Sequence, residues 1–202
     1  MMKKRIAVLA SGRGSNFQSV IEAIQQGKIP AVCVALITDN PGAYAVERAE
    51  KAGIPVKVID YSLFPSREMY ERALLLAMQQ ADADLFVLAG YMRILGSSIV
   101  LTFRGKIMNI HPALLPSFTG LHAQQQALNY GVKVSGCTVH FVDESLDCGP
   151  IILQRCVTVL EGDNEDILAE RILKHEHECL PEAIRLFCEG KLVTDGRNVR
   201  IT

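Results

Sequence analysis

Ile6-Ala7-Val8-Leu9-Ala10-Ser11-Gly12-Arg13-Gly14-Ser15-Asn16-Phe17 is a short apolar run that passes directly into a polar, glycine-spaced turn and then into a segment of helical period. A strand over 5–10 followed by a helix over 16–27 is the opening of a βα unit. Such a turn leaves backbone N–H groups and the positive end of the helix dipole at the carboxyl edge of a sheet, a natural cradle for phosphate. Gly12 and Gly14 permit close approach of the chain, and Ser15 or Asn16 is expected to cap the helix. The turn lacks the third glycine of a dinucleotide fingerprint and the Gly-Lys-Ser/Thr of a P-loop, so one terminal phosphate is favoured over pyrophosphate or triphosphate. A plain strand-to-helix turn is the competing reading. Asp39, at the end of the second strand, also keeps open a dinucleotide site in which it holds a ribose.

Outward from this unit, apolar β-branched runs continue to alternate with helix-period segments, the pattern of parallel strands joined by crossover helices. Further strands are expected at 31–38, 55–59, 85–89 and 106–110, each a near-continuous apolar run suited to a sheet buried on both faces. Helices are expected at 42–52, 66–80 and 96–103. After residue 130 the pattern changes. Val134 to Val142 and Pro150 to Leu160 read as an antiparallel pair near the sheet edge, and Asp163-Asn164-Glu165-Asp166 supplies helix-start chemistry for a helix over about 164–188 that contains Pro181. Thr194-Asp195-Gly196-Arg197 reads as a closing hairpin turn. The expected fold is α/β: one doubly wound, mostly parallel sheet with an antiparallel C-terminal strand pair and a long late helix. The chain is expected to form one domain over 1–202, with a phosphate-binding half to about 105 and a catalytic half from about 106.

Composition narrows the class. A chain of 202 residues, 49% hydrophobic and 21% charged, buries a substantial core without staples. The start Met1-Met2-Lys3-Lys4-Arg5 carries the charge of a signal n-region, but Ile6 to Ala10 is too short to complete one. With 21 basic and 22 acidic residues the net charge is −1, so no overall cationic field favours nucleic acid or an anionic membrane. Cys33, Cys137, Cys148, Cys156, Cys179 and Cys188 form no C-x-x-C pair, and reduced, mostly buried thiols in a cytoplasmic protein are expected. Cys148 is the one placed in a turn, where a packing role competes with a reactive thiol.

The chemistry concentrates in Met108-Asn109-Ile110-His111-Pro112. On a strand, Asn109 and His111 share a face and Ile110 points to the other, while Pro112 biases His111 toward extended geometry. An amide donor beside an imidazole suits negative charge growing on a carbonyl oxygen, and the imidazole also moves protons near working pH. Asp147, in the turn Asp143-Glu144-Ser145-Leu146-Asp147-Cys148-Gly149-Pro150, is the third candidate: near His111 it would favour imidazolium and orient the ring. Structural roles for all three are the competing reading. No nucleophile elbow, zinc helix or paired-cysteine metal site is present, and His122, His140, His175 and His177 form no convincing ligand set; His140 reads as a strand residue. Direct attack by an amine on an activated acyl group is the economical chemistry.

Five segments in this order and spacing resemble one family: Ser11 to Asn16, Leu88-Ala89-Gly90-Tyr91-Met92-Arg93-Ile94-Leu95, Asn109-Ile110-His111-Pro112-Ala113-Leu114-Leu115-Pro116, Gly120-Leu121-His122, and Leu146-Asp147-Cys148-Gly149-Pro150-Ile151-Ile152. Over nearly its whole length the chain resembles the folate-dependent glycinamide ribonucleotide formyltransferases. The resemblance implies that Asn109, His111 and Asp147 are the catalytic set, that Gly14, Ser15 and Asn16 hold the substrate phosphate, and that Glu176 contacts its ribose. It implies a folate site at Arg67, Met92, Arg93, Ile94 and Leu95, with Asn109 and with Asp143, Glu144, Ser145, Leu146 and Asp147 closing over the pterin. Cys148 stands where the family often has glycine. Residue chemistry agrees in part: Met92 to Leu95 follow an apolar strand and Gly90, which gives an apolar lining and exposed backbone for a flat heterocycle, and Arg67 offers a planar cation for a carboxylate. By themselves Arg67 and Glu176 read as surface residues.

The resemblance thus implies transfer of formyl from 10-formyltetrahydrofolate to the amine of glycinamide ribonucleotide, in a monomer or homodimer without metal, nucleic acid or membrane. Methionyl-tRNA formyltransferase is expected to carry a further nucleic-acid-binding domain, and formyltetrahydrofolate deformylase a regulatory domain ahead of this core, whereas here the core starts at residue 5. A non-catalytic nucleotide- or folate-binding module is the alternative of another class. The polar segment Ser117 to Gln126, between Pro116 and an expected short helix, has the composition of a segment that could act as a flap.

Overall fold

The computed structural model describes residues 3–202; Met1 and Met2, part of the basic start weighed above as a signal sequence, lie outside the described residues. The chain divides into two compact units at Met108/Asn109, within a strand. The strands are β1 (Lys4–Leu9), β2 (Ala31–Thr38), β3 (Val56–Val58), β4 (Leu85–Leu88), β5 (Ile107–His111), β6 (Val134–Phe141), β7 (Ile151–Thr158), β8 (Leu192–Asp195) and β9 (Asn198–Ile201). Their order in one sheet is β3-β2-β1-β4-β5-β6-β7-β9-β8.

In the first unit β1 pairs in parallel with β2 and β4, and β2 with β3. The chain steps outward from β1 to β3 and then returns to β4 on the other side of β1, so the strand order reverses there. Loops leaving the carboxyl ends of such strands diverge and leave a crevice, the usual ligand position in open α/β sheets. Ile6, Val8, Leu9, Leu85, Phe86 and Val87 are fully buried, as the uninterrupted apolar runs predict. Burying each such side chain contributes about 1.5–3 kcal/mol. The connections contain α1 (Ser15–Gln25), α2 (Tyr44–Lys51), a 3-10 turn at Tyr61–Leu63, α3 (Arg67–Ala81) and α4 (Ser97–Thr102). The N-cap of α3 is Ser66, whose hydroxyl accepts from the Met69 N–H at 3.3 Å.

In the second unit β6 and β7 form the expected antiparallel pair. They are not at the edge: β9 pairs in parallel with β7, and the β8–β9 hairpin, closed at Gly196-Arg197, lies outside them. Its short strands carried too little apolar signal to be placed from sequence. The long helix α6 (Glu165–Cys188) packs on β6 and β7 and passes through Pro181 as one element. Asn164 caps it, accepting from Ile167 N–H at 2.9 Å, with Glu165 and Asp166 in the first turn where negative charge meets the dipole. The short helix α5 (Ala123–Tyr130) begins inside the segment expected as a flap. No described helix is long and apolar enough to cross a membrane.

Candidate active site

In the first unit the turn after β1 is built as a cradle. Gly14, not Ser15 or Asn16, is the N-cap of α1: its φ is +64°, and an added Cβ would lie 2.8 Å from Ala45 Cβ. Ser15 and Asn16 instead open the first helical turn, whose leading N–H groups have no carbonyl one turn back. That turn holds no acidic residue, and a Cβ on Gly12 would meet nothing within 4 Å. Arg48 donates from Nε to the Arg13 carbonyl at 2.9 Å and from Nη1 to Gln18 Oε1 at 3.0 Å, fixing the turn from outside. The leading N–H groups of α1 and its dipole suit an anion at this turn, whose frame Arg48 holds.

The segment after β4 lies beside it. Ser11 N–H donates to Gly90 O at 3.0 Å, and Met92 N–H to Ser11 Oγ at 3.0 Å. Met92 and Ile94 are 64% and 59% exposed, leaving two apolar side chains of this segment open to a flat heterocycle. Arg67 bonds Glu71 Oε1 from Nε at 2.6 Å and Ile94 O from Nη2 at 3.2 Å, so it touches the segment expected to bind folate. Arg93 is engaged otherwise: its Nε meets Asp39 Oδ2 at 2.6 Å.

In the second unit Asn109, His111 and Asp147 converge. His111 is 4% exposed; its Nδ1 is 3.5 Å from Asp147 Oδ2 and its Nε2 is 2.8 Å from the Phe118 carbonyl. Both ring nitrogens therefore face acceptor oxygens, the Phe118 carbonyl being the nearer. Asp147 is held at φ +52° and accepts from Gly120 N–H at 2.8 Å. Gly149 makes this turn possible, because a Cβ there would fall 1.7 Å from the Phe141 carbonyl oxygen. Cys148, beside them, is half-buried and free.

A fourth member was missed. His140, read from the sequence as a strand residue, is buried on β6 with Nε2 3.2 Å from Asn109 Nδ2 and 3.8 Å from Asp147 Oδ1. Its Nδ1 is 2.9 Å from the Phe141 carbonyl, which makes Nδ1 the donor and Nε2 an acceptor for one Asn109 amide hydrogen. Burial pushes the His140 pKa down, so the ring is neutral as that role requires. One Asn109 hydrogen is thereby fixed and the other is left to donate. The signal available in the sequence was a histidine inside an otherwise apolar strand, since a buried imidazole demands partners.

Glu176 is 6% exposed, not an ordinary surface acid. It occupies the row Leu168, Ile172, Glu176, Leu180 of α6, in which the other three are buried and apolar. That spacing was readable. In the turn before Asp147, Asp143 Oδ1 accepts from Ser145 N–H at 3.0 Å, while Glu144, Ser145 and Leu146 are exposed. His122 pairs with Glu165 at 3.2 Å, away from the cluster. No disulfide joins the cysteines among the described residues; Cys156 is exposed, so burial of the thiols is general but not complete.

A family model described as formyl transferase matches residues 4–184. The chain is 47% identical over 190 residues to the trifunctional purine biosynthetic protein adenosine-3 of Drosophila melanogaster, covering 93% of this chain but 14% of that protein. It is 43% identical over 187 residues to phosphoribosylglycinamide formyltransferase of Escherichia coli (strain K12), covering 93% of this chain and 88% of that one. Among solved structures, glycinamide ribonucleotide transformylase 1 from Symbiobacterium toebii matches with TM-score 0.96 and 50% identity over 99% of this chain and 94% of that one. A formyltetrahydrofolate deformylase from Pseudomonas syringae pv. tomato matches with TM-score 0.92 and 26% identity, over 98% of this chain and 66% of that one. With the family model spanning most of its length and close relatives matched almost end to end, the chain belongs to the formyl transferase family.

Proposed function

We propose that the chain transfers a formyl group from 10-formyltetrahydrofolate to the amino group of glycinamide ribonucleotide. The observation that carries this reading is the convergence of Asn109, His111 and Asp147 on one buried cluster with His140 behind them. Gly14, Ser15 and Asn16 take the phosphate, Glu176 the ribose, and Arg67 with Met92 to Leu95 and Asp143 to Asp147 the folate.

The chemistry follows from what each group can donate. The acceptor amine adds to the formyl carbon, forming the new C–N bond and moving the carbonyl electron pair onto oxygen. The Asn109 amide hydrogen not held by His140 donates to that oxygen. His111 joins it as an N–H donor once its Nε2 exchanges the Phe118 carbonyl for the oxyanion. As the pair returns, the bond to the folate nitrogen breaks; the proton lost by the amine ends on that nitrogen, with Asp147 and His111 relaying it. The free thiols and the net charge of −1 fit a cytoplasmic protein that binds small anionic substrates and no nucleic acid. Folate release is measured with and without glycinamide ribonucleotide. Release only with the amine supports transfer, release with water alone means a deformylase, and binding without release means a non-catalytic module.

A further inference from the structure

Asp39 directly follows β2, where a dinucleotide-binding fold would place an acid against a ribose, and the proposed reaction leaves it without a task. It is not turned toward solvent. Its side chain is 5% exposed, Oδ2 lies 2.6 Å from Arg93 Nε, and Oδ1 is buried with no hydrogen bond within the described residues. Arg93 is 36% exposed, and its guanidinium carbon sits 3.5 Å from the centre of the Tyr61 ring. Tyr61 in turn meets Tyr70 edge-on at 5.0 Å, Tyr61 N–H donates to Asp39 O at 3.3 Å, and the Tyr70 hydroxyl is hydrogen-bonded to that of Tyr91. Burial pushes both Tyr70 and Tyr91 pKa values up, so this phenol pair stays protonated over the working range.

We propose that Arg93 is a positioning residue: bound to Asp39 and stacked on Tyr61, its guanidinium fixes the Met92 to Leu95 segment in its folate-binding shape and does not clamp the cosubstrate's terminal carboxylate. The segment is pinned on alternate sides. Tyr91 is held by Tyr70, the Met92 amide by Ser11, Arg93 by Asp39 and the Ile94 carbonyl by Arg67. What remains free is the pair of exposed side chains Met92 and Ile94. A guanidinium neutralised by a carboxylate at 2.6 Å exerts little net attraction on a further anion, and among the described residues Asp39 has Arg93 as its ion-pair partner and no hydrogen bond to its other oxygen. Planar stacking on Tyr61 with a directed Nε bond is a task that lysine cannot reproduce.

This inference rests on the reading of Met92 to Leu95 as the formyl-donor surface. Asp39→Asn and Arg93→Lys are compared with the wild type using 10-formyltetrahydrofolate and the same donor lacking its glutamyl tail. Both variants are expected to raise the donor KM about tenfold by the same factor for the two donors, with kcat and the amine KM held within about twofold. Loss of the Arg93→Lys effect with the tail-less donor would mean a direct carboxylate clamp and overturns the proposal, as does an unchanged donor KM in Asp39→Asn. Should either variant fold poorly, Tyr61→Leu, which removes only the stacking face, is expected to raise the same KM about threefold; no change there also overturns it. Calorimetric Kd values for tetrahydrofolate and tetrahydropteroate, measured without the amine, keep the two readings apart. A wild type that binds both but transfers no formyl sinks the proposed activity and leaves the Kd ratios to decide Arg93; a wild type that binds neither overturns both.

Discussion

The loops at the carboxyl edge of the first unit and the polar cluster of the second hold functional groups by opposite means. In the first, backbone groups are offered outward, and the charged side chains Arg48 and Arg93 are spent on holding the frame. In the second, the groups proposed for the chemistry are side chains withdrawn from solvent and close to one another: His140 Nε2 lies 3.2 Å from Asn109 Nδ2, His111 Nδ1 lies 3.5 Å from Asp147 Oδ2, and Asp147 accepts from the Gly120 amide. A binding surface tolerates solvent, because its contacts with ligand form stepwise. A site that stabilises developing charge needs donors fixed in advance and shielded from water, where each is worth more.

This contrast is broken most sharply in the second unit. Asn109→Ala or His111→Ala is expected to lower turnover about 10²–10³-fold while both KM values stay within a few-fold; unchanged turnover at saturating substrate would falsify the role of the residue removed. His140→Phe, which deletes the acceptor that orients Asn109, is expected to cost about 10²-fold in kcat, with partial recovery in His140→Gln. A kcat equal to wild type in His140→Phe would make His140 a packing residue only.

Smaller effects are expected at the frame of the first unit. Gly14→Ala forces a Cβ into φ +64° and against Ala45, and is expected to cost about 1–3 kcal/mol of stability and to raise the KM for the phosphorylated amine with little change in kcat. Retained KM in a destabilised Gly14→Ala protein would separate the turn from the phosphate. The smallest effect is in pH. His140 is held below its ordinary value of 6.5 by burial, so the unfolded chain binds its proton first as pH falls. Stability is therefore complete above about pH 6.5 and declines below it. Urea unfolding from about pH 8 to 5 should show that decline in the wild type and less of it in His140→Gln; identical slopes would show that His140 is not the group responsible.

How much of this was legible depended on whether a residue's role is set by its neighbours in sequence. The parallel strands of the first unit were readable because burial on both faces demands continuous apolar runs, as at Ile6 to Leu9 and Leu85 to Leu88. The start of α6 was readable because Asp163 to Asp166 supply helix-start chemistry locally; which of them is the cap, Asn164, came from the structure. Gly14 as the cap of α1 was not readable, since its necessity comes from Ala45, packed against it from the next helix. The β8–β9 hairpin had a visible turn but no visible place, because strand order is decided by which edge is left to pair.

The sequence by itself determined that a glycine-spaced turn follows the first strand, that Asn109 and His111 share a strand face, and that the late helix starts close to residue 164. These are consequences of short-range geometry: the period of a strand, the free donors of a helix start, the reach of a capping side chain. Only the tertiary structure decided that His140 orients Asn109, that Asp147 reaches His111 and that Asp39 pairs with Arg93. Each of these joins residues separated by tens of positions. Which distant partner a buried polar group finds is set by the packing that brings strands and helices together, and burial then makes that pairing obligatory.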